Sequence, residues 1–311
     1  MNSFLTPTIS GDWTHIFNPN LSDFPDRRLK KTKGKWYTND HTIMKGLDGH
    51  WHGFGIIGYK RFGLAWSWKI EKQLFHISSP SSKLLAENWK EHDYAIHSDR
   101  ELGELYTWAP HTIIHDDIWY MFYAVGTLRP LSFLLPSVGK IHLVTSKNGR
   151  DWIRHPENPI VMDWGYARDP MVFHDVKSST FYLYYTTNRN DNDFHSSIAV
   201  KKSKDLIHWT GPKIVHTQPN KKGWFAGNAE SPFVVEKDGI FYLFVCVALD
   251  NYNRTSVYWS ETPEEFPIEH HVCDLPTHAS EIIFDEQEQK WFITNTGWDK
   301  KGLFIAPMQW N

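Results

Sequence analysis

A chain of 311 residues with a formal net charge of −3 and two cysteines is long enough to bury a large core, and Cys246 and Cys273 make neither a disulfide framework nor a metal pattern. The short basic run from Arg27 to Lys31 reads as a solvated turn, not as the cationic patch that neutralises phosphates, so no nucleic-acid partner is expected. No stretch approaches the roughly 18 apolar residues that span a bilayer, and the opening MNSFLTPTISGDW has neither a basic segment nor a continuous apolar one. The expectation is a cytoplasmic protein without a membrane partner, or a secreted one if a leader has been removed.

In chain order, residues 1–35 show no repeat and are expected to be an N-terminal extension packing on a domain over 36–311. Five similar units follow: NDHTIMKGLDGHWHGFGI from Asn39, APHTIIHDDIWYMFYA from Ala109, RDPMVFHDVKSSTFYLYYT from Arg168, ESPFVVEKDGIFYLFVC from Glu230 and SEIIFDEQEQKWFITNT from Ser280. Each opens on a polar or proline-containing anchor, runs through apolar residues, turns at an Asp, Gly, Lys or Gln cluster and resumes with an aromatic. That pattern is a β-hairpin. KIHLVTSKNGRDWIRHP after the second unit and SSIAVKKSKDLIHWTGPKIV after the third supply further strands. The anchors, taken at Asp40, Pro110, Asp169, Glu230 and Ser280, recur at intervals of roughly 50 to 70 residues, a spacing that suits four-stranded blades around an axis. The reading is an all-β, five-bladed β-propeller. The 16 Trp, 13 Tyr and 19 Phe fill such strands well and also stack on sugar rings.

In a propeller the first strand of each blade lines the central channel, so its opening residues meet at one end of the axis. Three of these anchors are acidic. Repulsion and burial split the pKa values of carboxyls that share a pocket, leaving one protonated while another is ionised. Glycosidic cleavage needs that split: an acid for the leaving oxygen, and a carboxylate to attack the anomeric carbon or activate water. Arg168 beside Asp169 is expected to hold one member ionised and oriented.

Asn39-Asp40, the ARDP at 167–170 and the AESP at 229–232, in this order, resemble the three acidic motifs of the five-bladed glycoside hydrolases of family 43 and the related families 32 and 68. YTWAPHTIIHDDIWYMFYA at 106–124 is similar to the Trp-Ala-Pro motif of family 43, and GLFIAPMQW from Gly302 to a closing strand of that family. The resemblance implies a glycosidase in which Asp40 is base or nucleophile, Asp169 orients and tunes the acid, and Glu230 is the general acid. His41, where fructoside-cleaving relatives carry proline, leans towards family 43, an arabinofuranoside or xyloside and inversion. That is the expected reaction; Arg168-Asp169-Pro170 leans the other way, towards the alternative of a fructosidase or fructosyltransferase of family 32 and retention. A non-catalytic glycan-binding propeller is the competing reading from another class.

Around the acids, His41 and His111 share the context His-Thr-Ile and are candidates to bond sugar hydroxyls. Arg168 and Asn228 flank the acidic anchors and complete the polar candidates. Trp108, Trp164, Trp224 and Trp298 stand near anchors and are candidate stacking platforms. The resemblance places His278 at the channel and admits a structural calcium ion there, although no Asp-rich calcium loop is visible and no cofactor is required. The apolar segment 126–140 is expected to be a loop over the pocket or a patch against a second copy, which admits a homo-oligomer. The expected partner is a carbohydrate.

Overall fold

The computed structural model describes residues 4–19, 36–59, 70–129, 132–163, 167–187, 196–218, 229–247, 253–297 and 302–311, without the side chains of 128–138. These residues form five antiparallel sheets of four or five strands and, among the described residues, no α-helix. The innermost strands are Trp36–Lys45, Tyr106–His115, Arg168–Asp175, Ala229–Lys237 and Ile282–Asp285, and each begins one blade of a β-propeller.

Packing between blades explains the sequence pattern. The second strands Trp51–Tyr59 and Thr180–Thr187 are buried along their whole length, because each sheet is covered by a neighbour on both faces. Their residues are therefore near-continuously apolar instead of alternating. Tyr184, Val234, Phe244, Ile293 and Met308 belong to one cluster that joins the third, fourth and fifth blades, so the core lies between sheets. Tight hairpins fix the registers. Asp116 and Asp117 take φ of 48° and 58°, and Asp238 and Gly239 take 54° and 82°, the paired left-handed residues that match the twist of two strands.

The chain closes on itself in blade 5. Pro7–Ile9 and Thr14–Phe17 both pair with Leu303–Trp310, with Pro7 opposite Trp310 and Thr14 opposite Ile305. These early residues are thus strands of the last sheet, while 20–35 lie outside the described residues. Of the segment 126–140, residues 126–129 and 132–140 belong to the strands Ile118–Arg129 and Ser132–Ser146, whose pairing runs from Trp119–Ser146 to Arg129–Ser132 with register shifts at Ser132/Pro136 and Val138/Lys140.

Candidate active site

Four innermost strands share one irregularity. Between Thr38 and His41, Trp108 and His111, Arg168 and Met171, and Glu230 and Phe233, the inner strand takes one more residue than its partner. Each is a β-bulge, which bends the strand and re-aims its side chains. Ala109, Asp169 and Ser231, the second residues of three bulges, have left-handed backbone at φ of 44°, 53° and 51°, and Ala279 in blade 5 matches them at 47°. Holding a non-glycine residue there costs about 1–3 kcal/mol, strain of a kind that gathers at functional sites.

The bulges align the blades residue by residue. Thr38, Trp108, Arg168, Glu230 and His278 stand first; Asn39, Ala109, Asp169, Ser231 and Ala279 second; Asp40, Pro110, Pro170, Pro232 and Ser280 third. This corrects the equivalence of Asp40, Pro110, Asp169, Glu230 and Ser280 assumed from the sequence. The three acids come from three successive positions, which lets three carboxylates reach one place without colliding. Proline recurs at the third position because a bulged residue leaves the ladder, and proline has no N–H to lose.

Asp169 and Glu230 share one nitrogen of Arg168. Its Nη1 donates to Asp169 Oδ2 at 2.7 Å and to Glu230 Oε2 at 2.8 Å. Asp169 Oδ2 also accepts from Thr186 Oγ1 and from the Ser231 backbone N–H, both at 3.1 Å. Ser231 turns its hydroxyl the other way, donating to Asp40 Oδ1. One serine therefore couples the first blade to the third. A cavity of about 30 Å³ on the axis, lined by Asp40, Asp169, Ser231 and Glu281 among others, has room for about one water.

Burial raises all three acids, and Arg168 only partly offsets it. Glu230 is pushed up to about 7, by burial first and then by the charges of Asp169 and Asp40. Asp169 rises to about 6 through burial and the charge of Asp40, against the pull of Arg168. Asp40 is also raised by burial, opposed by the Ser231 hydroxyl and the Arg168 charge. Near neutral pH such a cluster holds both a proton and negative charge, as acid/base chemistry requires.

The other expected site residues divide. Arg168 belongs to the cluster. Trp108 stands level with Arg168 and Glu230 in the bulge alignment and is 9% exposed, its ring stacked on Tyr106 at 5.3 Å. His41 and His111 depart from the expectation of bonding sugar hydroxyls, because their rings, like that of His278 at the channel, are buried and bonded to protein groups. His41 Nε2 lies 2.8 Å from Thr294 Oγ1, and burial drives its pKa down to about 3. His111 Nε2 lies 3.2 Å from the Val172 carbonyl oxygen, with Nδ1 3.6 Å from Glu281. His278 is held between Cys246 and Asn39. None of the three is a rim contact for a sugar. Trp164, Trp224, Asn228 and Trp298 lie outside the described residues.

Sequence reasoning missed four residues. Ser231 looked like a small filler beside Glu230, and Thr186 like an ordinary strand residue. Cys246 sits in the apolar IFYLFVCV and faces Glu230 directly across the strand pair. Glu71, in the charged-looking KIEKQ, is a further buried acid that accepts a bond from Tyr37; burial and the charge of Asp40 raise it to about 7. A bulge marker was the one available signal, and only for Ser231, which precedes Pro232.

Calcium takes six to eight oxygens. Among the described residues, the group of three or more metal-ligand side chains that lie close together is Glu230, Cys246 and His278, with sulfur and nitrogen donors and one carboxylate.

A five-bladed propeller whose axis carries three carboxyls raised by burial around one arginine is the arrangement of a glycoside hydrolase. The profile described as "Glycosyl hydrolases family 32 N-terminal domain" matches residues 31–262, and the chain belongs to that family. Solved structures agree on the fold. A thermostable family-43 glycoside hydrolase superposes with a TM-score of 0.66 at 17% identity, over 88% of this chain and 89% of its own. The α-L-arabinofuranosidase from Lactobacillus brevis does so at 0.66 and 14%, over 88% and 91%. The Bombyx mori GH32 β-fructofuranosidase gives 0.63 at 15% identity, covering 97% of this chain and 62% of its own. No curated protein matches the chain.

Proposed function

We propose that the protein hydrolyses a terminal furanoside of the β-fructofuranoside type in two steps with retention. Asp40 attacks the anomeric carbon as the glycosidic C–O bond breaks, and Glu230 gives its proton to the leaving oxygen. Water then attacks the same carbon, Glu230 takes a proton from it, and Asp40 is released. Asp169 holds Arg168 in place and presents its remaining lone pairs to sugar hydroxyls. The observation that carries the reading is the shared Arg168 nitrogen between Asp169 and Glu230, with Asp40 tied to the same bulge through Ser231. The family 32 match supports the choice of a fructoside and of retention.

A second reading is inversion at an arabinofuranoside or xyloside, with Asp40 as base to a water. It is supported by the likeness in shape to the Lactobacillus brevis enzyme and to a structure described as a β-xylosidase. Nitrophenyl fructo-, arabino-, xylo- and galactosides together with sucrose, followed by NMR of the first-formed anomer, separate the two. Retained product from a fructoside supports the first and inverted arabinose or xylose the second. Turnover that Glu230→Gln and Asp40→Asn leave unchanged would contradict both.

A further inference from the structure

Beside the acid stand two side chains, Cys246 and His278, that hydrolysis does not use. Sγ of Cys246, a ring nitrogen of His278 and a carboxylate oxygen of Glu230 all lie within 4.8 Å of one another, and all three residues are buried. Cys246 Sγ is 3.0 Å from His278 Nδ1, and His278 Nε2 is 2.9 Å from Asn39 Oδ1. An amide oxygen only accepts, so Nε2 carries the ring proton. In the neutral ring Nδ1 then offers its lone pair to the thiol. An oxygen that fixes the far N–H of an imidazole is the outer-shell arrangement that orients metal-binding histidines. The Asn295 side chain accepts from the His278 backbone N–H at 3.1 Å, which holds the residue from its other side. Arg168 engages Oε2 of Glu230, and Cys246 stands directly across from Glu230 in the sheet.

We propose that Cys246, His278 and Glu230 form a capture site for a zinc-like divalent cation, one whose occupation silences hydrolysis. The cation takes the place of the proton between Sγ and Nδ1, which leaves to solvent as the thiolate forms. Thiolate, imidazole and one carboxylate with a fourth position open are a donor set that zinc accepts and calcium does not. Zinc bond lengths imply a sulfur–nitrogen separation of about 3.5 Å, so the pair opens by only a fraction of an ångström. The loss of activity rests on the reading of Glu230 as the acid; the site itself does not.

Cobalt(II) titration of the full chain, read by the sulfur-to-cobalt charge-transfer band, tests the site without any substrate. One equivalent gives the band, zinc displaces it, Cys273→Ser keeps it, and Cys246→Ser loses it. Half-inhibition by zinc shifts more than about 100-fold in Cys246→Ser, since even outer-shell partners are worth 10–100-fold. If Cys246→Ser fails the circular-dichroism check for folding, Asn39→Ala takes its place and must weaken cobalt binding. Absence of the band in folded wild type, or its survival in Cys246→Ser, overturns the proposal. A Cys246-dependent band in a protein that hydrolyses nothing keeps the site and overturns the catalytic reading. Hydrolysis with no band does the reverse.

Discussion

Two buried glutamates in this molecule have opposite fates. Glu104, beside blade 2, accepts from Arg154 at 2.7 and 3.2 Å, His142 at 3.0 Å, Tyr123 at 2.7 Å and the Asp99 backbone at 3.0 Å. Burial raises its pKa, but the bonds from His142, Arg154 and Tyr123 outweigh it and hold it down at about 2. Glu230 shares one arginine nitrogen with Asp169, and burial carries it up to about 7. The difference lies in donors per carboxylate, not in depth. Several donors on one acid make a structural node; one cation among three acids leaves a proton to be moved.

The two regions respond to pH with opposite sign. Glu104 is depressed below its ordinary 4.5, so its contribution is present above that pH and is lost as pH falls towards 2. Glu230 is raised, so its contribution is present below 4.5 and is lost as pH rises through about 7. Acid should weaken blade 2 and alkali the axis.

The largest effect expected from breaking this contrast is on rate. Glu230→Gln lowers kcat by about 10²–10⁴-fold, the range of a lost general acid, while the protein stays folded and loses less stability than wild type as pH rises from 4.5 through about 7. Arg154→Met acts the other way: it leaves Glu104 buried without its cation and costs about 3–5 kcal/mol in urea unfolding, with activity of the folded fraction kept. Gly58→Ala is next. A Cβ there would stand 2.2 Å from the Tyr37 hydroxyl, so overpacking costs about 1–3 kcal/mol and pushes Tyr37 off Glu71. The smallest effect is a shift. Asp169→Asn removes a negative charge that raises Glu230, so the alkaline limb of the kcat/KM profile moves to lower pH.

Much of the fold was legible because five hairpins repeat the same turn chemistry, and Asp238-Gly239 and Asp116-Asp117 announce their turns locally. The acids were legible because each sits at a strand entrance, Asp169 just before proline, Glu230 two residues before one and Asp40 in the proline position itself. Their true alignment was not, since a bulge shifts position by one residue and its proline marks, at 110, 170 and 232, were not used to set the register. Asp40, Asp169 and Glu230 therefore looked equivalent when they stand third, second and first. His41 and His111 were misplaced for a related reason: their burial and their bonds to Thr294 and Val172 come from strands distant in sequence. Glu71 was hidden because nothing in KIEKQ marks a buried acid from an exposed one.

The central claim is that Glu230 protonates the leaving group. Hydrolysis of aryl furanosides with leaving groups of graded acidity, by wild type and by Glu230→Gln, tests it most directly. The account predicts a nearly flat dependence in wild type and a steep one in the variant, with the loss smallest for the most acidic phenol. The same slope in both proteins would contradict it.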